Sequence, residues 1–258
     1  MDDKTTINQI EEVEFENPIV LEGLPGIGFV GKIVVDQLIK QLDATKFAEL
    51  ESDYFPPQVT VTKEGLIDYM KNEFYYLKDF GENNLDVIIL TGNSQATEFE
   101  GQIALSRTLM EYFEQLGATK IYTLGGLGTG EMIEKNRVFV ASNQKEVLDE
   151  ILELENTLIR KDEGGSIVGA SGLLLHFADQ KNIPATCLMG ETPGFYIDPS
   201  AAIEVLKVLF EILKFDMDLE ELNEKVEDTL KRLSLNPQLN QMVEQQVSKP
   251  NDDLRYIG

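Results

Sequence analysis

Cysteine and histidine are almost absent from the sequence, which removes most metal and nucleophile chemistry. The 258 residues contain one of each, Cys187 and His176. A single cysteine excludes an intrachain disulfide and fits a reducing compartment, so we expect the protein to be cytoplasmic. The same count excludes zinc sites built on His and Cys, and every nucleophile–histidine pair would have to use His176.

Neither of these two residues lies where chemistry would need it. His176 lies in the apolar stretch Leu173–Ala178 of a predicted buried helix, where we interpret it as a core or interface residue. Cys187 lies in an apolar strand, as an inert buried thiol does. Carboxylate pairs such as Glu98 and Glu100 stay open as acid–base or Mg²⁺ sites, although chance pairs are expected among 46 acids. We therefore predict no catalytic residue, no metal, no cofactor and no enzyme activity.

Basic residues are also scarce, since 22 Lys and Arg stand against 46 Asp and Glu and give a formal net charge of −24. Lys and Arg form no cluster, so we predict neither nucleic acid nor an anionic membrane as a partner. The acidity either serves solvation alone or steers the chain toward basic surfaces. The first segment, Met1–Glu16, is acidic rather than signal-like, and the longest apolar stretch, Ala201–Phe215, is broken by charges and predicts no membrane span.

The chain does contain a regular alternation of strand-like and helix-like segments. Short apolar runs that end in glycine predict strands at Pro18–Gly23, Leu85–Gly92, Thr119–Gly126 and Pro184–Gly190. Amphipathic segments predict helices at Phe29–Leu42, Phe99–Leu116, Gln144–Leu154, Gly169–Lys181 and Ser200–Phe215. This alternation predicts an α/β fold with three α/β/α layers and a mostly parallel sheet. The strand-like pieces Gln58–Lys63 and Glu73–Phe80 predict an antiparallel edge or an inserted hairpin.

The sequence changes character after Phe215. Asp218–Leu233 carries leucine and valine at intervals of three and four residues between charged side chains, and Gln238–Val247 is a further short helical run. We therefore predict one α/β domain over residues 1–215, a helical C-terminal extension over 216–247 and a flexible tail over 248–258.

The segment Gly23–Lys32 has two incompatible interpretations. Gly26, Gly28 and Gly31 spell G-x-G-x-x-G between a predicted strand and a predicted helix, as a dinucleotide-binding turn requires. An acid, Glu51, follows about twenty residues later, where such a turn has the ribose-binding carboxylate. The alternative is that the glycines allow a tight turn and close packing, with nothing bound.

Glycine-rich loops also follow the other predicted strands, so several loops meet at one edge of the sheet, where ligands bind in such folds. Their free N–H groups suit an anion in principle. Acids outnumber the neighbouring bases Lys32 and Arg107, Pro25 departs from a compact turn, and no P-loop sequence is present, all of which favours packing. The residues that a ligand at this edge would contact are Gly26, Gly28, Gly31, Asn93, Gly128 and Glu191.

Three glycine-rich blocks follow one another in a consistent order over most of residues 17–215. They are Gly23–Lys32, then Thr91–Gln95 with Gly125–Gly130, then Gly165–Gly172 with Gly190–Gly194. In this order they resemble the PAC2 family of proteasome assembly chaperones, in its archaeal branch. The resemblance implies a fold related to purine nucleoside phosphorylases without their catalytic residues. It also implies oligomerisation and binding to proteasome α-subunits.

The tail is an apolar pentapeptide after an acidic linker, and such ends are either silent or recognised by a partner's pocket. Some members of the resembled family end in a hydrophobic–Tyr–any motif that docks between α-subunits. Here Tyr256 is third from the end and Arg255 takes the hydrophobic slot, so a contact with a neighbouring subunit is the alternative. The predicted partner-binding residues are Leu254, Arg255, Tyr256, Ile257 and Gly258.

These observations predict a non-enzymatic, homo-oligomeric assembly chaperone or adaptor that binds 20S proteasome α-subunits. The alternative hypothesis is a nucleotide- or nucleoside-binding enzyme that uses the glycine-rich loops at the strand ends.

Overall fold

A nine-stranded sheet runs through the centre of the protein, with a separate hairpin formed by β4 and β5. The computed structural model describes residues 4–62, 64–156 and 158–234. The strand order in the large sheet is β1-β3-β6-β7-β2-β8-β11-β9-β10. The strands are β1 (Thr5–Gln9), β2 (Ile19–Glu22), β3 (Thr45–Ser52), β4 (Val59–Val61), β5 (Ile67–Tyr69), β6 (Asn72–Phe80), β7 (Leu85–Gly92), β8 (Lys120–Gly128), β9 (Val138–Ser142), β10 (Ile159–Lys161) and β11 (Ala185–Thr192).

Helices cover both faces of this sheet, so the predicted three layers are confirmed. Hydrophobic residues of α1, α3, α5 and α6 pack in the core on one face, and those of α2 and α4 pack on the other. The helices of the described residues are α1 (Val30–Gln41), α2 (Phe99–Gln115), α3 (Lys145–Leu152), α4 (Gly169–Gln180), α5 (Pro199–Leu213) and α6 (Glu220–Ser234). Each of the five helices predicted up to Phe215 is present, with ends close to those expected from the apolar periodicity.

The prediction of a mostly parallel sheet is wrong, because the sheet is mixed. The pairings β2–β7, β2–β8, β8–β11 and β9–β10 are parallel. The pairings β1–β3, β3–β6, β6–β7 and β9–β11 are antiparallel. The predicted antiparallel edge is confirmed: β6 turns directly into β7 through Gly81–Asn84, and a short turn can join only antiparallel neighbours.

The sheet separates two hydrophobic cores, one on each face. Central strands β2, β7, β8 and β11 send alternate side chains to the two faces, as the period of a strand requires. Phe47, Phe74 and Phe113 are among the largest fully buried side chains and lie together on the α2/α4 face. Burying one such side chain contributes about 2 kcal/mol, so this aromatic group is a main source of stability there.

The helix α6 lies in the predicted C-terminal extension and is anchored on the α/β domain. Leu222 is fully buried in the core beside α1 and α5. Glu221 accepts hydrogen bonds from Lys40 at 2.7 Å, and ion pairs with Lys40 and Lys225 lower its pKa to about 2. The predicted run Gln238–Val247 and the tail lie outside the described residues. The relation to phosphorylases stays a prediction.

Among the residues that the structure describes, no helix has both the length and the apolar character that a membrane crossing needs.

Candidate functional site

Strands β7, β2, β8 and β11 are adjacent and parallel, so their carboxyl ends open at one edge of the sheet. Hydrogen bonds join the loops at this edge directly to each other. Gln95 donates to the carbonyl oxygen of Pro25 at 2.7 Å and accepts from the Ala170 N–H at 3.0 Å. The Asp198 N–H donates to the Gly28 carbonyl at 2.9 Å. The structure therefore brings the predicted ligand-loop residues to one edge, as expected for this fold.

Gly31 of the G-x-G-x-x-G segment and two glycines beside the segment, Gly23 and Gly126, allow close backbone packing. A Cβ on Gly31 would lie 1.9 Å from the Leu124 carbonyl oxygen, and one on Gly23 would lie 2.3 Å from the Gly31 carbonyl oxygen. On the facing strand, a Cβ on Gly126 would lie 2.3 Å from the Ile27 carbonyl oxygen. The groups pressed against these glycines are carbonyl oxygens, which repel an anion, whereas a phosphate site presents N–H groups. This geometry favours the packing interpretation of the motif.

The remaining glycines of the predicted ligand loop shape the same turn. Gly28 has a φ of 61°, in the left-handed region that glycine tolerates, and a Cβ there would lie 3.0 Å from the Thr192 Oγ1. A Cβ on Gly128 would meet the Ile27 side chain at 3.3 Å. Gly26 is exposed, and the nearest atom to an added Cβ is 3.9 Å away. Two of these three glycines are thus held against neighbouring side chains.

Asn93, the fourth loop position, holds the hairpin in place. Its Oδ1 accepts from the Lys71 N–H at 2.9 Å, and its Nδ2 donates to the Tyr69 carbonyl at 2.6 Å. Lys32, the base nearest to the glycine turn, donates to Asp36 at 2.7 Å and to Thr91 at 3.1 Å. Both side chains already have polar partners within the protein, so neither is free to receive a phosphate.

Glu191 is buried beside a large open cleft of about 1,220 Å³ that Gly128 also lines. The Arg137 guanidinium donates two hydrogen bonds to Glu191, from Nε at 2.7 Å and from Nη2 at 2.5 Å. Arg137 also stacks over the Phe139 ring at 5.1 Å. This bidentate pair neutralises the carboxylate, so Glu191 positions Arg137 at the cleft rather than offering a free base.

Glu22, at the end of β2, is a fully buried carboxyl that was not among the predicted site residues. Its two oxygens accept from the Ser171 hydroxyl at 2.9 Å and from the Leu24 N–H at 3.2 Å. Burial raises the pKa of Glu22 to about 7 against these two hydrogen bonds. The signal was present in the sequence, because strand alternation places Glu22 on the same face as Val20, which faces the core.

The structure confirms the burial predicted for Cys187 and corrects the core position predicted for His176. Cys187 is buried as predicted, and burial raises the pKa of its thiol to about 12, which keeps it unreactive at neutral pH. His176 is exposed and contacts the Gln180 side chain at 3.0 Å, so the prediction of a core residue is wrong, and that of an interface residue stays a prediction. The buried stripe of α4 runs through Leu174, Phe177 and Ala178, and position 176 lies off that stripe.

The helix starts at this edge present apolar side chains to solvent. Phe29 and Val168 precede α1 and α4, Phe99 begins α2, and all three are exposed. The residue before each of these helices makes no side-chain capping hydrogen bond, and at α4 the Gln95 side chain already accepts from the Ala170 N–H. Within residues 4–62, 64–156 and 158–234, no group of three metal-binding side chains occurs. An apolar edge of this kind suits contact with another macromolecule better than phosphate chemistry.

Comparison with known proteins assigns the chain to a family. The model of the PAC2 family matches residues 20–234, and the chain therefore belongs to the PAC2 family. The uncharacterized protein MJ1210 of Methanocaldococcus jannaschii is 37% identical over 99% of this chain and 98% of its own length.

Solved structures give the same assignment. The crystal structure of Pyrococcus furiosus PbaB, an archaeal proteasome activator, superposes with a TM-score of 0.85 and 36% identity over 91% of this chain and 99% of its own. Pyrococcus furiosus PbaA, an archaeal homolog of proteasome-assembly chaperone, has a TM-score of 0.75 and 27% identity over 95% of both chains. The likeness thus covers the whole α/β fold rather than the glycine motif alone.

Proposed function

We propose that this protein is a non-enzymatic, homo-oligomeric chaperone or adaptor that binds the α-subunits of the 20S proteasome. One observation carries the proposal, namely the likeness to PbaB, an archaeal proteasome activator, at 36% identity over 91% of this chain. The likeness to PbaA, a homolog of proteasome-assembly chaperone, supports the same partner. The single cysteine of the chain is consistent with action in the reducing cytoplasm.

The arrangement at the sheet edge supports a scaffolding mechanism. Glycines at the strand ends bring backbone carbonyls together, and the polar groups of Lys32, Asn93 and Glu191 are engaged within the fold. Apolar side chains at the helix starts are the groups left for a partner. Binding through such a surface uses burial of apolar area and needs no bond-making step.

The C-terminal extension supplies the second part of the mechanism. Leu222 fixes the start of α6 in the core, and Val226, one turn further on, packs against the same core. We propose that the tail residues 254–258 contact the proteasome α-ring, with a neighbouring subunit of the oligomer as the alternative. These residues lie outside the described part of the chain.

Capture of archaeal 20S α-subunits tests the proposal. The full chain is immobilised beside two variants, one lacking residues 249–258 and one carrying Tyr256→Ala. We expect the full chain to enrich α-subunits and both variants to lose that enrichment. Enrichment that persists in both variants would move the docking surface away from the tail. Absence of enrichment by the full chain would refute the proteasome partner itself.

The open cleft beside Glu191 is the observation that keeps the nucleotide-binding alternative testable. A thermal-shift screen with NAD, ATP, nucleosides and inorganic phosphate decides it. A ligand at a hundredfold its dissociation constant stabilises the fold by about 2.7 kcal/mol, which is readily measured. We expect no shift with any of these compounds, and a reproducible shift would favour the alternative.

A further inference from the structure

The hairpin β4–β5 carries an apolar face with nothing packed on it among the described residues. Cross-strand pairing places Val59 opposite Tyr69 and Val61 opposite Ile67. These four side chains are between 48% and 68% exposed. In an antiparallel pair, side chains opposite each other share one face and lie about 5 Å apart, so the four form one continuous apolar surface.

The opposite face of the hairpin carries a polar cross-strand pair, so the hairpin is amphipathic. Thr60 and Asp68 are the third cross-strand pair and point to that opposite face. The Thr60 hydroxyl hydrogen-bonds to the Asp68 carbonyl at 3.4 Å. An isolated two-stranded hairpin is marginal in water, and exposing its apolar face makes it less favourable still. The alternation therefore indicates a strand pair whose apolar side is covered by a partner.

The base of the hairpin is fixed to the domain, so the apolar face is held in one orientation. Phe55 and Met70, which flank the two strands, are buried in the core on the α2/α4 face. Asn93 bonds the backbone at Tyr69 and Lys71, and the Lys71 ammonium lies 3.3 Å from Asp68. A surface fixed in this way loses little conformational freedom on binding.

We propose that this hairpin face, formed by Val59, Val61, Ile67 and Tyr69, is a self-association surface that the same face of a second copy covers. The inference rests on the homo-oligomer of the proposed function and assigns a surface to it.

Charge and symmetry favour a second copy as the occupant. No ionisable side chain other than the Tyr69 phenol lies among the four residues, in a chain whose net charge is −24. Two such chains repel over most of their surface, and an uncharged face is where they approach at least electrostatic cost. A partner chosen by charge would instead use the acidic surface. A two-fold contact places the same patch on both copies, so one apolar face can cover another.

The exposed area of the face sets the size of such a contact. At roughly 100 Å² for each of the four side chains, the face covers on the order of 400 Å² per copy, or about 800 Å² over two copies. Specific interfaces begin at about 1,000 Å², so the hairpin pair forms part of the contact between two copies and further surfaces complete it.

Single-cysteine crosslinking tests the contact directly. Cys187 is buried and unreactive, so Val61→Cys introduces one accessible thiol, and a short bis-maleimide reports whether two copies meet there. Ile10→Cys is the matched control, since Ile10 is a similarly exposed apolar residue that lies beside Phe47, at the end of β3 opposite to the one that leads into the hairpin. We expect a covalent dimer from Val61→Cys and several-fold less from Ile10→Cys.

Light scattering on the full chain supplies the second measurement. The double variant Val61→Ser with Ile67→Ser is expected to fall to half the parent mass or less, while Ile10→Ser keeps the parent mass. Unchanged mass without crosslinking would overturn the inference. Unchanged mass with lost capture of 20S α-subunits would also overturn it, and would assign the face to the proteasome. Crosslinking at position 61 without capture by the full chain would refute only the proposed function.

Discussion

The buried carboxyl of Glu22 makes a quantitative prediction about stability and pH. Its pKa is raised from 4.5 to about 7, with burial as the dominant cause. In the unfolded chain the group ionises near its ordinary pKa, so between about pH 4.5 and pH 7 folding requires Glu22 to bind a proton that the unfolded chain has released. The contribution of Glu22 to stability therefore falls as pH rises through this window. Below it, the carboxyl is neutral in both states and carries no penalty.

The size of the effect follows from the shift. One pKa unit corresponds to about 1.4 kcal/mol, so a shift of roughly 2.5 units costs roughly 3 kcal/mol once the pH exceeds about 7. Glu22→Gln removes this penalty because it cannot ionise. The glutamine Oε1 accepts from the Leu24 N–H, and its Nε2 donates to the Ser171 oxygen, so both hydrogen bonds of the carboxyl are replaced.

Urea unfolding of parent and Glu22→Gln chains at about pH 5 and at about pH 8 measures the effect. We expect the variant to be less than about 1 kcal/mol more stable at the lower pH, and roughly 3 kcal/mol more stable at the higher pH. Glu51→Gln is the control, since Glu51 is exposed on β3 and the change removes the same formal charge. A Glu22→Gln difference that does not change with pH, or that matches the control, would refute the reasoning.

Three further predictions concern two packing contacts and one ion pair. Gly31→Ala places a Cβ 1.9 Å from the Leu124 carbonyl oxygen, and we expect it to unfold the chain or lower its Tm strongly in a thermal melt. Gly125→Ala is the control, because there is open space around Gly125, and we expect it to keep the parent Tm. Leu222→Ala is expected to cost about 2–5 kcal/mol in urea unfolding, and a neutral result would show that α6 does not need its core contact. Arg137→Met leaves buried Glu191 unpaired and costs roughly 3 kcal/mol, while adding Glu191→Gln recovers most of the loss. Additive losses in that double-mutant cycle would contradict the ion pair.

Helices and central strands were predictable because their pattern is local. The apolar stripe of α2 and the valine- and isoleucine-rich β7 each bury residues at their own period, and both segments were found with nearly correct ends. The strand β1 was missed, since four of its five residues stay at least partly exposed and no alternation marks it. The mixed direction of the sheet was missed for another reason. Whether β9 runs antiparallel to β11 depends on which distant segments pair, and no local pattern records that.

The candidate site was likewise predictable only in part, where its pattern is local. The glycine spacing correctly predicted a strand, a turn and a helix, but not that carbonyl oxygens would lie against Gly23, Gly31 and Gly126. Glu22 was overlooked because a single acid at a strand end resembles a solvated residue, although its alternation with Val20 indicated burial. The strand-like piece Gln58–Lys63 and the inserted hairpin were predicted and correspond to β4 and its pairing with β5. The apolar face was not recognised, since β5 is only three residues long and the pairing that aligns the face appears only in three dimensions.

The contact between Gly31 and β8 has a mechanical consequence for the whole molecule. No side chain separates the backbone of α1 from Leu124, so rotamer changes cannot take up movement of the helix along the sheet. At its other end, α1 holds α6 through Lys40 and Glu221. The start of α6 therefore rests on a helix whose position against β8 is fixed by direct backbone contact, and Leu222 packs into the core that both helices share.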